Sequence, residues 1–585
     1  MAYLDSLNTP EDLKNLKTNE LKDLAEEIRQ AILNRDAKVG GHVGPNLGIV
    51  ETAIALHYVF SSPRDKIIYD VSHQSYPHKI LTGRKRGFLT DAGMKEISGY
   101  TNPTESEHDF FTVGHTSTSV SLACGMAKAR DLKGEKYNVI AVIGDGSLSG
   151  GEAMEGFNNA AILNSNMIII VNDNEMSIAE NHGGLYANLR LLRETKGTAE
   201  CNMFKALGFA YRYVEDGNSI EQLLNVLQQV KDTDKPTVLH IHTQKGKGYK
   251  FAEENREKWH WNLPFDLATG ENTVTFPAGE NYNDITYEFL KNKIRQDNRV
   301  VVLTAGTPGA FGLTPERRQT LGKNYIDVGI AEEHAVAMSS ALAKGGCKPV
   351  FQVWSSFVQR TYDQLSQDLA INNNPAVILV FSAGISGMDV THLGCFDIPL
   401  IANIPNIVYL APTNKQEYLA MLNWGLEQER HPVVIRVPLA VQEASVPVKT
   451  DYDRLNTFET VKTGSDVAIL ALGSFFALGQ KVVEKLREKS IDATLINPRF
   501  ITGLDQDLLE SLKQNHSLVV TLEDGILDGG FGEKVARFYG TDSMKVLTCG
   551  APKVFTDRIP VQELYERYRL TPEQITADVL AALKH

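Results

Sequence analysis

Residues 139–178 read VIAVIGDGSLSGGEAMEGFNNAAILNSNMIIIVNDNEMSI. Two apolar, β-branched runs end in Gly-Asp-Gly and in Asn-Asp-Asn, with a helix-like stretch between them. Asp145 and Asn174 are too distant in sequence to meet through local structure, so only the fold can unite them. Runs that are apolar through their centres suit strands buried on both faces of a parallel sheet. The segment GGEAMEGFNNAAIL then supplies the crossover helix of a right-handed βαβ unit. Ligands of open parallel sheets sit outside the carboxyl ends of the strands, which places both side chains at one edge.

An aspartate carboxylate and an asparagine carbonyl are hard oxygen ligands. Two of them leave most of an octahedron open, which is how Mg²⁺ sits when substrate phosphates complete its shell. The glycines around Asp145 let backbone approach a bulky anion, and the following helix start favours negative charge. Gly-Asp-Gly alone also serves as turn punctuation. With a helix, an apolar strand and Asn-Asp-Asn behind it, a diphosphate held through a metal is the stronger reading.

The same pattern continues on both sides. DKIIYDV and PTVLHIHT flank the opening unit, with amphipathic STSVSLACGMAKARDL and SIEQLLNVLQQVKD between strands. The polar, Trp- and Pro-bearing stretch EENREKWHWNLPFDLATGENTVTFPAGENYND reads as a linker. A second series follows: RVVVLTAG, NYIDVGI, KPVFQVW, PAVILVF, NIVYLAP and PVVIRVP. A third contains DVAILALGS, DATLINPRF, SLVVTLEDG and MKVLTCG. The expected architecture is therefore three consecutive α/β domains over residues 1–275, 276–445 and 446–585.

A formal net charge of −13 over 585 residues argues against general binding to nucleic acid. Cys124, Cys201, Cys347, Cys395 and Cys549 show no CxxC spacing and read as reduced thiols. The N-terminus MAYLDSLNTPEDLKNLKTNE is charged rather than signal-like, and the apolar runs are too short to span a bilayer. A soluble, cytoplasmic protein without a membrane partner is expected.

The segment from Gly144 to Asn174 resembles the thiamine diphosphate motif. With NDNEMSI, DVSHQSYPHKILTGR, VGHTSTSVS, GGHVGPNLG, GIAEEHAV and FVQRTYDQ, the chain resembles the 1-deoxy-D-xylulose-5-phosphate synthase family of transketolase-like enzymes over nearly its whole length. The resemblance implies two thiamine-diphosphate-binding folds, for diphosphate and for pyrimidine, followed by a transketolase C-terminal-like domain. It implies thiamine diphosphate and Mg²⁺ as cofactors, pyruvate and a phosphorylated aldehyde as small-molecule substrates, and a homodimer. Asp145, Asn174 and the backbone of Met176 would hold the metal; His73, Gly114, His115, Thr116, Gly146, Ser147 and Tyr249 would line the cofactor.

Glu332 would stand beside the aminopyrimidine and promote its imino tautomer, a step that calls for one carboxylate. Spacing alone also allows Glu332 and Glu333 as first-turn acids favoured by the helix dipole, and the family match selects Glu332. His42 and His392 are candidates for proton transfer to substrate oxygens. Arg360 and Arg436 are expected to meet the acceptor's phosphate, since guanidinium grips phosphate with parallel hydrogen bonds, and Asp389 its hydroxyls.

The chain departs from the family pattern at several points. Ser382 stands where an arginine precedes Ala-Gly, Trp354 where a tyrosine is usual, Asn218 where a histidine follows Asp-Gly, and Ser72 in place of glycine. The segment after NEMSIAENHGGL is shortened. The implied reaction joins pyruvate to D-glyceraldehyde 3-phosphate with loss of CO₂, giving 1-deoxy-D-xylulose 5-phosphate for isoprenoid, thiamine and pyridoxal synthesis. The alternatives are a paralogous carboligase or transketolase with another acceptor or donor, a 2-oxo-acid dehydrogenase component, and a non-enzymatic binding module.

Overall fold

A computed structural model describes residues 2–275, 279–444 and 447–584. Two compact units divide the chain: Met1–Ala278 with Gly329–Ala331, and Gly279–Val328 with Glu332–His585. Both expected domain boundaries, at 276 and at 445–446, lie outside the described residues.

In the first unit, β1 (Lys66–Tyr69), β2 (Val139–Gly144), β3 (Ile168–Asp173), β4 (Ala210–Val214) and β5 (Thr237–His242) form one sheet in the order β1-β2-β3-β5-β4. Every pairing is parallel. The pleat explains why β2 and β3 are apolar throughout. Ile140, Val142, Ile168 and Ile170 pack with Leu56, Leu223 and Leu227 on one face. Ala141, Ile143, Ile169 and Val171 meet Val120, Phe157 and Leu189 on the other. Burying each such Ile, Leu or Val contributes about 1.5–3 kcal/mol, so a polar residue on either face would be costly. β4 lies outside the expected set because it is a partly buried edge strand whose apolar run is interrupted by Arg212. The helix Gly151–Ala160 connects β2 to β3 as the opening stretch requires.

The segment expected to be a linker is packed. Trp259 and Phe265 are buried with Leu47, Tyr249 and Ala252 in the core beneath the N-terminal helices. Polar composition obscured two aromatic anchors, which meet edge to face with ring centroids 4.7 Å apart.

The second unit holds two sheets. β6 (Val300–Thr304), β7 (Tyr325–Asp327), β8 (Lys348–Trp354), β9 (Val377–Phe381), β10 (Val408–Leu410) and β11 (Val433–Arg436) are all parallel, in the order β10-β11-β9-β8-β6-β7. The second sheet has the order β12-β14-β13-β15-β16, from β12 (Glu459–Lys462), β13 (Asp466–Ala471), β14 (Thr494–Asn497), β15 (His516–Ile526) and β16 (Lys545–Ala551). Its edge strand β12 is antiparallel, short and polar, and was not foreseen from pattern. The three sheets with interleaved helices are the expected α/β architecture.

Candidate functional site

At the tip of the first unit's sheet, β2 and β3 deliver Asp145 and Asn174 to the same edge. The Asp145 N–H donates to the Asn172 carbonyl at 3.1 Å, fixing the turn after β2 against the end of β3. The Asp145 side chain is 1 % exposed. Burial, then the charge of Asp173, pushes its carboxyl up to about 8, against the hydrogen bond from Asn181 and the charge of Lys245. Asn181 Nδ2 donates to Asp145 Oδ2 at 2.8 Å. Asn174 Oδ1 and Asn181 Oδ1 are buried and have no hydrogen-bond partner among the described residues. A buried carboxylate and an unpartnered buried amide oxygen at one sheet edge are oxygen ligands of the kind Mg²⁺ takes.

The turn around the pair is tightly built. A Cβ on Gly146 would stand 2.8 Å from Ser177 Oγ and 3.0 Å from its Cα, so the cradle tolerates only glycine. The Tyr186 hydroxyl donates to the carbonyls of Asp145 and Gly146 at 3.2 and 3.3 Å. Ser147 is buried, and its carbonyl accepts from Ser117 Oγ at 2.9 Å. Met176 pairs with Glu180 in a short antiparallel bridge, and the helix Gly184–Glu194 follows at once. Asp173 faces away from this turn. Burial raises its carboxyl, but hydrogen bonds from His240 at 2.9 Å and Arg193 at 2.5 Å outweigh that and hold it below the usual range.

The glycine-flanked histidine loops converge nearby. Asn46 Nδ2 donates to the carbonyls of His42 and His73 at 2.6 and 2.7 Å, tying two loops together. The rings of His42 and His73 meet edge to face with centroids 5.0 Å apart. Asp70, at the end of β1, accepts from the N–H groups of Ser117 and Ser119 at 2.8 and 2.9 Å. That pins the loop carrying Gly114, His115 and Thr116. At Ser72 the backbone has φ +64, where glycine is easier. The serine hydroxyl compensates by donating to Val113 O at 2.6 Å and accepting from Thr101 N at 2.8 Å.

Two further residues join this group without having been singled out. His260 stacks on His73 at 5.2 Å and meets His42 edge-on at 5.6 Å. Lys245 Nζ lies 3.2 Å from His260 Nδ1 and donates to Ser177 O at 2.6 Å. Burial lowers Lys245 to about 7, and burial together with Lys245 holds His260 well below the ordinary histidine range. The lysine lies in TQKGKGY, beside the tyrosine that the motif match selects, and the histidine lies inside the supposed linker. Tyr249 itself is buried among aromatic side chains. Its ring packs against Trp259 at 5.0 Å and Phe265 at 5.9 Å, and its hydroxyl donates to Leu267 O at 3.2 Å. The ring thus joins the aromatic core of the first unit.

In the second unit, Glu332 opens the helix Glu332–Lys344 and is 3 % exposed, whereas Glu333 is half-buried. Burial pushes the Glu332 carboxyl up to about 7, opposed by Arg360. Glu332 Oε2 makes no hydrogen bond among the described residues, and Arg360 Nη1 stands 3.7 Å from it. Phe357 stacks with Trp354 at 5.7 Å and meets His392 edge-on at 5.6 Å. His392 Nδ1 lies 3.2 Å from Asp389 Oδ1, which also accepts from the N–H of Thr391 at 3.0 Å. Burial raises Asp389, yet the His392 and Thr391 contacts outweigh it and bring the carboxyl down to about 2.

Arg436 is held by two carboxylates. Its Nε donates to Asp397 Oδ2 at 2.7 Å, Nη2 to Asp397 Oδ1 at 3.2 Å, and Nη1 to Asp524 Oδ1. The Tyr409 hydroxyl also donates to Asp397. With the guanidinium 5 % exposed and committed to two buried carboxylates, this arginine joins β11 to β15.

Comparison with known proteins gives a consistent picture. The profile described as 1-deoxy-D-xylulose-5-phosphate synthase matches residues 4–201 and 190–243. The transketolase pyrimidine binding domain matches 280–440, and the transketolase C-terminal domain matches 456–575. The 1-deoxy-D-xylulose-5-phosphate synthase of Symbiobacterium thermophilum is 40% identical over 99% of this chain and 95% of its own. That of Shouchella clausii is 38% identical over 99% and 98%, and synthase 1 of Geobacter metallireducens is 38% identical over 100% of both.

Proposed function

Since the chain belongs to the 1-deoxy-D-xylulose-5-phosphate synthase family, we propose that it condenses pyruvate with D-glyceraldehyde 3-phosphate, releasing CO₂ and forming 1-deoxy-D-xylulose 5-phosphate. The observation that supports this most directly is the meeting of Asp145 and Asn174 at neighbouring strand tips, one a buried carboxylate and the other a buried amide oxygen without a partner. Thiamine diphosphate, when bound, supplies the thiazolium carbon that adds to the 2-oxo acid and accepts the electron pair left by decarboxylation.

In this reading Asp145, Asn174 and the Met176 carbonyl hold Mg²⁺, and the glycine-lined turn at Gly146 and Ser147 admits the diphosphate. His73, Gly114, His115 and Thr116 border the cofactor. Glu332 exchanges a proton at the aminopyrimidine ring nitrogen, and a carboxyl raised to about 7 suits that task near neutral pH. His42 and His392 move protons at substrate oxygens. Asp389, ionised beside His392, orients acceptor hydroxyls, and Arg360 supplies positive charge. Residues 1–275 serve the diphosphate, 276–445 the pyrimidine, and 446–585 form the transketolase C-terminal-like domain. Family likeness also supports Mg²⁺ as the ion, a homodimer, and a cytoplasmic setting.

The test incubates purified protein with pyruvate, D-glyceraldehyde 3-phosphate, thiamine diphosphate and Mg²⁺, following CO₂ and product mass. Stoichiometric CO₂ with a five-carbon ketose phosphate is expected. Ketol transfer without CO₂ would point to transketolase chemistry instead.

A further inference from the structure

We propose that Asn181 is the positioning residue for the metal-binding carboxylate: it ties down one oxygen of Asp145 so that the other is aimed at the divalent ion. This rests on the reading of Asp145 and Asn174 as metal ligands. A carboxylate that binds a metal is ionised and accepts only, so the amide must turn Nδ2 toward it. The 2.8 Å contact from Asn181 Nδ2 to Asp145 Oδ2 is that arrangement. The Gly146 N–H also acts on this carboxyl, and without the side-chain donor on Oδ2 it would be the remaining hydrogen bond against rotation about Cβ–Cγ.

The placement of Asn181 is itself over-determined. It follows the Met176–Glu180 bridge and precedes the helix Gly184–Glu194, whose Tyr186 anchors on the carbonyls of Asp145 and Gly146. The segment is therefore fastened to the metal turn at two points, one on the carboxylate and one on the backbone. Upstream, Lys245 holds Ser177 O at 2.6 Å, and Ser177 closes over Gly146. Asn181 Oδ1 is buried and without a partner among the described residues, an acceptor suited to a water carried by the ion. Partners that orient metal ligands typically change metal affinity by about 10–100-fold when removed.

Mn²⁺ titration followed by electron paramagnetic resonance, with thiamine diphosphate present, tests this without reference to turnover. Asn181→Leu and Asn181→Ala should each weaken Mn²⁺ binding by about 10–100-fold, with melting temperatures before ligand addition close to wild type. Tyr186→Phe removes the backbone anchor but keeps the donor to Oδ2, and should stay within about threefold of wild type, a difference under 1 kcal/mol. Wild-type affinity in both Asn181 variants would overturn the proposal, as would equal losses in Tyr186→Phe and the Asn181 variants, since the effect would then belong to the segment. Absence of Mn²⁺ binding by the wild type would instead sink the metal assignment itself.

Discussion

Glu332 Oε2 and Arg360 Nη1 stand 3.7 Å apart, near enough for electrostatic attraction and too far for a hydrogen bond. The contact moderates a carboxyl that burial drives upward and leaves it near 7. A group so placed changes protonation with little bias at neutral pH, which is what a proton relay requires.

Glu332→Gln should keep thiamine diphosphate affinity within about tenfold while lowering kcat by roughly 10²–10⁴. Steady-state kinetics and cofactor titration by fluorescence quenching separate the two. Full turnover in this variant would end the assignment.

Arg360→Met removes the positive charge that lowers the Glu332 pKa. The acidic limb of the kcat/KM profile, which tracks ionised Glu332, should therefore move to higher pH, by roughly one unit or more. A profile that stays in place would show that Arg360 does not act through Glu332.

Asp145→Ala and Asn174→Ala should each weaken metal-dependent cofactor binding by at least the ~10–100-fold seen for outer partners of metal ligands. Chelation with EDTA should abolish turnover of the wild type, and Mg²⁺ should restore it. Thermal shift with and without cofactor reads the loss directly.

Arg436→Met should destabilise the second unit by about 3–5 kcal/mol, because Asp397 and Asp524 would be left buried without their cation. The expected signature is a lower melting temperature rather than a raised KM for the aldehyde. A stable variant with only the KM defect would assign the arginine to the acceptor site instead.

Acid should loosen the first unit through His57 and His78. His57 Nε2 lies 2.8 Å from His78 Nδ1, and His78 Nε2 lies 2.9 Å from Asp109. Burial, above all, holds both imidazoles below the ordinary histidine range. Their folded-state pKa values are depressed, so the stability they contribute is present above pH 6.5 and declines as pH falls below it. Calorimetry between pH 7.5 and about 5 should show the first transition moving down, with a shallower slope in His57→Gln. An equal slope in that variant would exonerate the pair.

What was legible in the sequence was whatever short-range order encodes. Continuous apolar runs specify strands buried on both faces, and the βαβ spacing brings Asp145 and Asn174 to one edge. The edge strands β4 and β12 escaped because an edge strand pairs on one side only and lacks a continuous apolar run.

Partnership between distant residues was decided by tertiary structure. Nothing in VVIRVP shows that Arg436 meets Asp397 and Asp524, 39 and 88 positions away. Likewise the stretch around Trp259 looks like a linker until Trp259 docks on Tyr249, and its neighbour His260 then stacks on His73. Periodicity reports how a residue relates to its own element, whereas the state of a charged or aromatic side chain depends on which groups the folded chain brings to its far end.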